Sequence, residues 1–190
     1  MVDKAVIASG VAVRRPHRAD ARRNFDSLLV AAREAFARNG TGASLEDIAR
    51  RAGVGIGTLY RNFPTRQDLF DAVYVGEVEA LCREAEEVAD LPPWDALGAW
   101  LRRFVAYAAT KRAISEALNR DSEMFRSGRE AMVAAGRPLF ARAQEAGAAR
   151  LDVGFDDVLR LVMSITAATF TDDEQRERVL GIALDGLRVR

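Results

Sequence analysis

The stretch that most constrains this chain runs from Ser44 to Phe63 and has the pattern of two short helices joined by a tight turn. Ser44 is a typical N-cap residue, and Asp47 follows it at the spacing of a capping box, which predicts a helix start. Gly53 stands at the turn, where glycine adopts a left-handed backbone conformation at little cost. Apolar residues recur on one face of the first helix: Leu45, Ile48, Ala49 and Ala52.

The second helix of this pair has one apolar face and one polar face. Val54 and Leu59 continue the apolar face, so they are expected to pack on the first helix. The other face carries mostly small and hydrogen-bonding side chains: Gly55, Ile56, Thr58, Arg61 and Asn62, with Tyr60 at its edge. This arrangement is typical of a helix-turn-helix, whose second helix enters the major groove of DNA. An ordinary helical hairpin has the same apolar spacing and is the alternative.

The residues in and after this pair resemble the TetR family of transcriptional regulators. The resemblance covers about residues 25–74 and rests on a long gapped signature: Ile48-Ala49, Ala52-Gly53-Val54, Gly57-Thr58-Leu59-Tyr60, Phe63, Arg66 and Leu69. It implies DNA contacts from the start of the second helix, the third helix and the start of the fourth. Those positions here are Ser44, Gly55, Ile56, Gly57, Thr58, Tyr60, Arg61, Asn62 and Arg66.

These positions divide by chemistry into phosphate and base contacts. Phosphate contacts are expected from Ser44, Tyr60 and Arg66, whereas Thr58 is placed to meet a base edge or a thymine methyl. The chain departs from the family pattern at two positions, since Gly55 and Ile56 stand where many members have Ser and Lys. Because a hydroxyl and a cation are missing there, the predicted base readers are Arg61 and Asn62.

The charge distribution agrees with DNA binding by one end of the molecule. The 190-residue chain has a formal net charge of zero, but residues 1–66 carry 12 Lys and Arg against 6 Asp and Glu, hence +6. Residues 67–190 carry the remaining 16 against 22, hence −6. A basic front on an acidic body favours contact with nucleic acid through the front alone.

Three segments are predicted along the chain. Residues 1–19 lack helical periodicity and form a flexible arm, suited to a phosphate or the minor groove, or simply to solvent. The basic end of this arm comprises Arg14, Arg15 and Arg18. Residues 20–80 form the helix-turn-helix domain, whose fourth helix is shared with the body. By resemblance, residues 81–190 form a ligand-binding and dimerisation domain.

The periodicity predicts an all-α protein of about nine helices. The first helix extends from near Asp20 to just before Gly40. The second capping box, formed by Thr65 and Asp68, opens a fourth helix that keeps one face apolar and runs to about Ala89. The apolar stripe of the first helix is Phe25, Leu28, Leu29, Ala32 and Phe36.

The body begins after a break at Leu91-Pro92-Pro93, with a helix from Trp94 to about Thr110. Short helices at 113–119, 122–135 and 138–146 are predicted next. This segment is expected to be interrupted at Gly128, Gly136 and Gly147. Two final helices are predicted to span about 155–170 and 172–188. The apolar stripes of the final pair are Leu159, Val162, Met163, Thr166 and Ala167, then Val179, Leu180, Ala183, Leu184 and Leu187.

Aromatic and methionine side chains gather in the body and are candidates for the lining of an apolar ligand cavity. The candidate lining residues are Trp100, Phe104, Tyr107, Met124, Phe125, Met132, Phe140, Met163 and Thr166. Simple core filling is the alternative for each of them. The resemblance further implies that the final two helices of each subunit pair into a four-helix homodimer interface, although an intramolecular core has the same pattern.

Several function classes are excluded or disfavoured by the composition. With one histidine and one cysteine, the chain has too few ligands for a His/Cys zinc site, and its only histidine, His17, lies in the predicted arm. No cofactor and no metal are therefore expected. Cys82 cannot form an internal disulfide, which favours the cytoplasm, and no apolar run is long enough to span a membrane.

The sequence thus predicts a homodimeric DNA-binding transcriptional regulator and no enzyme. It is expected to be a repressor that a small-molecule effector releases from a pseudo-palindromic double-stranded DNA operator. The main alternative is a small-molecule-binding protein of the same fold that no longer reads DNA specifically. A constitutive architectural DNA binder and a carboxylate-based enzyme are further alternatives.

Overall fold

The computed structural model describes residues 16–119 and 121–189, and within these ranges the regular structure is helical, apart from one isolated antiparallel bridge between Ala149 and Arg188. This confirms the predicted all-α fold. The helices are α1 (Ala19–Asn39), α2 (Leu45–Arg51), α3 (Ile56–Asn62), α4 (Arg66–Glu87), α5 (Pro93–Ala113), α6 (Glu123–Glu145), α7 (Phe155–Ala167) and α8 (Asp173–Asp185), with a 3₁₀ turn at Gly40–Gly42. Most of the predicted N-terminal arm lies outside the described residues.

The chain divides into two compact units. Within the described residues, unit 1 comprises 16–79 together with 110–130, and unit 2 comprises 80–109 and 131–189. Because α4, α5 and α6 are long, each of them contributes residues to both units.

The core of unit 1 is built on α1. Phe25, Leu28, Ala32 and Phe36 are buried as predicted, whereas Leu29 of the same stripe is half-buried. Helix α1 ends where Gly40 adopts a positive φ of 58°. The ring of Phe25 lies 5.1 Å from that of Phe63, and the ring of Phe36 lies 4.7 Å from that of Phe70. These two aromatic contacts fix α1 against the end of α3 and the first turns of α4.

Helix α4 is buried on more sides than the sequence predicts. The single apolar face expected from its pattern is too narrow, because Phe70, Tyr74, Val75 and Val78 are buried as well. Glu77 is also buried and pairs with Arg33 of α1, at 3.3 Å between Oε1 and Nη1. The capping box at its start is confirmed, since Thr65 Oγ1 accepts a hydrogen bond from the Asp68 backbone and the Asp68 carboxylate accepts from Thr65.

The prediction of three short helices between residues 113 and 146 is wrong. Residues 114–118 form turns and a bend, in which a backbone N–H donates to the carbonyl three residues earlier, as Ala117 N–H does to Ile114 O. Helix α6 is one continuous helix that contains Pro138.

The glycines of α6 permit close packing. A Cβ atom on Gly136 would lie 2.5 Å from Trp100 Cζ2 and 2.7 Å from Phe155 Cζ. One on Gly128 would lie 2.8 Å from Tyr74 Oη. Only Gly147, with a φ of 67°, lies at a helix end as predicted.

Unit 2 is organised around Trp100, which is fully buried. Its indole ring stacks on Phe104 at 5.6 Å and meets Phe155 at 5.8 Å, and its Nε1–H donates to Leu81 O at 3.1 Å. The buried face of α7 differs from the predicted stripe, because Met163 and Thr166 are only half-buried and Ala167 is exposed. The residues that α7 buries are Phe155, Val158, Leu159, Val162 and Ile165.

The final helix follows its predicted pattern more closely. Leu180, Leu184 and Leu187 are buried, and Asp172 caps the helix by accepting a hydrogen bond from Gln175 N–H at 2.7 Å. None of the helices in the described part of the chain is long and apolar enough to cross a membrane.

Candidate nucleic-acid interface

The turn between α2 and α3 is held by backbone hydrogen bonds. Gly53 has a φ of 71°, as predicted for the turn, and its N–H donates to Arg50 O at 3.1 Å. The next N–H, of Val54, donates to Ala49 O at 3.0 Å. Leu59, with no exposed surface, is the buried residue of α3. The turn, Leu59 and the buried C-cap residue Phe63 together set the direction of α3.

The remaining residues of α3 form an accessible surface. Tyr60 is 47% exposed and Ile56 37% exposed, while Gly55, Gly57 and Arg61 are also exposed. Thr58 and Asn62 are half-buried. The structure thus brings all seven predicted α3 positions onto one short helix and its N-cap, and five of them are open to solvent.

The polar groups in the second half of α3 are bonded to one another. Arg61 Nη2 donates to Thr58 Oγ1 at 2.8 Å, and Asn62 Nδ2 donates to Thr58 O at 2.8 Å. The hydroxyl of Thr58 therefore orients the guanidinium of Arg61, whereas the amide of Asn62 is directed back at its own helix. Of the two predicted base readers, Arg61 is the one that presents its donors outward in this arrangement.

The start of α2 is capped as predicted. Ser44 Oγ accepts a hydrogen bond from Asp47 N–H at 3.1 Å and donates to Glu46 Oε2 at 3.0 Å. The side chain of Asp47 does not complete a capping box, since its carboxylate pairs with Arg51, at 2.7 Å from Nε, and with Arg50. A phosphate contact through Ser44 stays a prediction, because its hydroxyl already serves the helix cap and Glu46.

The charges of this first turn are mutually compensated. Hydrogen bonds from Arg51 and then Arg50 lower the pKa of Asp47 below its ordinary value. The pKa of Glu46 is lowered by its own backbone N–H first and by Ser44 next. Both carboxylates are therefore ionised at neutral pH, and they offset the two arginines of α2.

Arg66 has a role that the sequence did not indicate. Its Nη1 donates to the backbone carbonyls of Thr41, at 3.0 Å, and Ala43, at 2.7 Å. The guanidinium thereby ties the first residue of α4 to the turn that precedes α2. No sequence signal distinguishes such a backbone tether from the predicted phosphate contact, because an arginine at a helix start suits both.

The candidate ligand-pocket residues fall into two groups. Met124 and Phe125 belong to unit 1, and the other seven belong to unit 2. Within unit 2, Trp100, Phe104 and Tyr107 are buried in a stacked series of rings. Phe155 joins this cluster through Trp100 and Phe140 and was not among the predicted residues. Its position at the first turn of α7 gave no pattern that would single it out.

Thr166 lines a surface pocket of about 500 Å³ within unit 2. Its hydroxyl donates to Met163 O at 2.8 Å. Arg102 and Arg176 also line this pocket, together with Val105 and Phe170. Among the described residues, no group of three or more His, Cys, Asp or Glu side chains is placed to hold a metal ion.

Comparison with known proteins extends over both halves of the chain. The profile of the bacterial regulatory proteins of the tetR family matches residues 28–73. The profile described as the C-terminal domain of SbtR-like transcriptional regulators matches residues 92–189, which is more than half of the chain. The first of these matches contains the turn, α2 and α3.

Solved structures give the same result. A TetR transcriptional regulator from Streptomyces coelicolor is 40% identical, with a TM-score of 0.75, over 86% of this chain and 97% of that one. A TetR regulatory protein from Mycobacterium vanbaalenii is 36% identical, with a TM-score of 0.72, over 92% and 100%. A ketosteroid transcriptional regulator from Mycobacterium tuberculosis, 20% identical over 93% and 100%, shares the fold at a TM-score of 0.60.

These matches indicate the functional class of the chain, since TetR-type regulators bind DNA and are in general not enzymes. The identity and coverage of the first two structures exceed what a shared fold alone would require. The chain belongs to the TetR family of transcriptional regulators.

Proposed function

We propose that this protein is a cytoplasmic, homodimeric repressor that binds a pseudo-palindromic operator and is released by a small-molecule effector. The DNA-reading part is the predicted domain at residues 20–80, and the body at residues 81–190 binds effector and partner subunit. Two copies of α3 enter successive major grooves about 34 Å apart, as dimeric helix-turn-helix proteins do.

The observation that carries this proposal is the accessible surface of α3. Leu59 holds the helix in place, and Tyr60, Ile56 and Arg61 face solvent. The core contacts of this short helix are made by Leu59 and its C-cap residue Phe63, so packing gives no reason for a large aromatic and an aliphatic residue on its exposed side. Insertion into the major groove gives all three side chains partners, because base edges there offer acceptors and thymine methyl groups and phosphates border the groove.

Dimerisation through α7 and α8 is supported by apolar side chains that unit 2 leaves exposed. Ile182 of α8 is 72% exposed and Leu161 of α7 is 39% exposed. Both helices also bury an apolar face, so these residues are additional to what the core of unit 2 needs. A second copy would cover them, and it would provide the two-fold symmetry that a pseudo-palindromic operator requires.

Effector control is supported by contacts that the first turns of α6 make with α4 inside unit 1. The ring of Tyr74 stacks on that of Phe125 at 5.2 Å, its hydroxyl donates to Phe125 O at 3.2 Å, and Gly128 allows the close approach. Helix α6 continues without a break into unit 2. A ligand that displaces α6 would thus move α4, and to act as a switch it must prefer the state that does not bind DNA.

The test of operator binding is fluorescence anisotropy with the DNA fragment upstream of the protein's own gene, against a scrambled fragment, over a series of salt concentrations. Wild-type protein is expected to prefer the upstream fragment and to lose affinity linearly in log[salt]. Arg61→Ala is expected to weaken specific binding by about 10- to 100-fold and to reduce the preference for the fragment.

The charge-matched control is Arg83→Ala, which removes an exposed cation from the unit 2 part of α4. It is expected to leave the affinity for the upstream fragment within about twofold of wild type. Equal and weak binding of both DNAs, with Arg61→Ala indistinguishable from Arg83→Ala, would refute operator reading through α3. It would favour a small-molecule-binding protein of this fold.

A further inference from the structure

The first turn of α3 carries an aliphatic side chain with open space on both sides. Ile56 is the first residue of the helix and is 37% exposed. Gly55 and Gly57 flank it, and apart from chain neighbours and the backbone of α3 no atom lies within 4 Å of the position where a Cβ would stand on either glycine. Ile56 is therefore flanked by two positions without side chains, and the backbone at these glycines can approach a flat surface closely.

The core does not account for this residue. Leu59 supplies the buried contact of α3, and Val54, at the turn, is half-buried. A single exposed isoleucine is common on protein surfaces and needs no explanation by itself. Its position adds the information, since Ile56 stands between two glycines and the polar groups of Thr58 and Asn62 in the same helix are engaged in hydrogen bonds within α3.

We infer that Ile56 determines operator sequence by packing on the 5-methyl group of a thymine in the major groove. Among the groups that base pairs expose in that groove, the thymine methyl is the apolar one, and an aliphatic side chain gains nothing from the donors and acceptors around it. The bare glycines allow the short contact that a methyl–methyl interaction needs. This inference rests on the proposed operator binding and names one element of its specificity.

The inference assigns two kinds of base contact to the two ends of α3. At the first turn, contact with thymine is apolar and independent of salt. At the last turn, Arg61, oriented by Thr58, is placed to donate to the acceptors of a guanine. The operator half-site is therefore expected to contain a thymine and a guanine at separate positions.

The experiment replaces thymines of the operator by deoxyuridine, one position at a time in both half-sites. Deoxyuridine lacks the methyl group and keeps the base pair, so any loss reports that methyl alone. Anisotropy with wild-type protein is expected to find one position where the substitution weakens binding by about fourfold per half-site, the effect of burying one methyl group, and roughly 15-fold for both.

Ile56→Ala is expected to bind the thymine operator more weakly than wild type and to bind the thymine and deoxyuridine operators equally. Ile56 is exposed, so the fold should be retained, which far-UV circular dichroism checks. Leu91→Ala, which shortens an aliphatic side chain that is 44% exposed in the break before α5, is the control and should keep the wild-type ratio.

The outcomes distinguish this inference from the function on which it rests. Specific operator binding without any methyl-sensitive thymine would overturn the role of Ile56 and leave the regulator intact. A thymine-to-deoxyuridine ratio that persists in Ile56→Ala would assign the methyl contact to another residue and equally overturn it. Failure of the wild-type protein to prefer the operator over scrambled DNA would overturn both.

Discussion

Replacing Gly136 by alanine tests the packing on which unit 2 depends. The new methyl group would stand 2.5 Å from Trp100 Cζ2 and 2.7 Å from Phe155 Cζ, whereas carbon atoms are comfortable at about 3.5–4.0 Å. Either ring or helix α6 must therefore move by roughly 1 Å. Trp100 cannot yield easily, because it is fully buried, is stacked on Phe104 and donates a hydrogen bond to Leu81 O.

The change in the free energy of unfolding follows from two costs and one gain. Overpacking a core costs about 1–3 kcal/mol, and loss of the Trp100 hydrogen bond adds about 1 kcal/mol. Alanine gains about 1 kcal/mol over glycine inside a helix. We expect a net decrease of about 2 kcal/mol in the free energy of unfolding, which lowers the Tm of a chain of this size by about 4–8 °C.

The assay is urea denaturation followed by circular dichroism and by tryptophan fluorescence, with Gly76→Ala as the control. A Cβ on Gly76 would meet only Leu29 Cδ1 at 3.9 Å, an ordinary contact, so this variant should gain about 0.5–1 kcal/mol from helix propensity. If Gly136→Ala were as stable as Gly76→Ala, the close approach of α6 to Trp100 would be refuted.

Three further predictions concern unit 1, each measured by urea denaturation. Ser44→Ala removes the acceptor for Asp47 N–H and should cost about 1 kcal/mol, and Ser44→Asp should restore most of it; an unchanged midpoint in the alanine variant would contradict the cap. Arg66→Ala loses two hydrogen bonds to backbone carbonyls and should cost about 2 kcal/mol, with only partial recovery in Arg66→Lys, because an ammonium lacks the guanidinium fork; equal stability of both variants would argue against the tether. Burial raises the pKa of Asp71, so ionisation of this carboxyl disfavours the folded state. Asp71→Asn should therefore become more stable relative to wild type as the pH rises from 3 to 7. A stability difference between the two proteins that does not change with pH would refute the raised pKa.

The helix-turn-helix could be predicted from sequence because its signals are local. Ser44, Gly53 and Thr65 each act within a few residues, through a cap or a positive φ, and each lies where the pattern put it. The apolar stripe of α1 is also a local signal, since helical spacing alone determines which side chains share a face.

The errors arose where one residue type has two uses. Gly128 and Gly136 were expected to interrupt helices, but a glycine also permits a large side chain from elsewhere in the chain to approach the backbone. The sequence does not contain the positions of Tyr74 and Trp100 relative to those glycines. A glycine that interrupts a helix therefore cannot be distinguished in the sequence from one that allows a large side chain to pack closely. The continuous helix α6 is the consequence.

The roles of polar side chains at the candidate interface were hidden for a similar reason. Arg66 and Asn62 have the chemistry of a phosphate contact and a base contact, and the resemblance assigns them so. The structure instead shows their donors on backbone carbonyls, of Thr41 and Ala43 for Arg66 and of Thr58 for Asn62. Composition and spacing cannot reveal which of several acceptors a long side chain reaches.

The most direct measurement of the central proposal is a hydroxyl-radical footprint of the full-length protein on the upstream fragment. A dimer that inserts two copies of α3 into successive major grooves is expected to protect two segments on one face of the duplex, about one helical turn apart and related by two-fold symmetry. Arg61→Ala should lose both segments at a concentration where Arg83→Ala retains them. Uniform protection of any DNA, or no protection at saturating protein, would contradict the account.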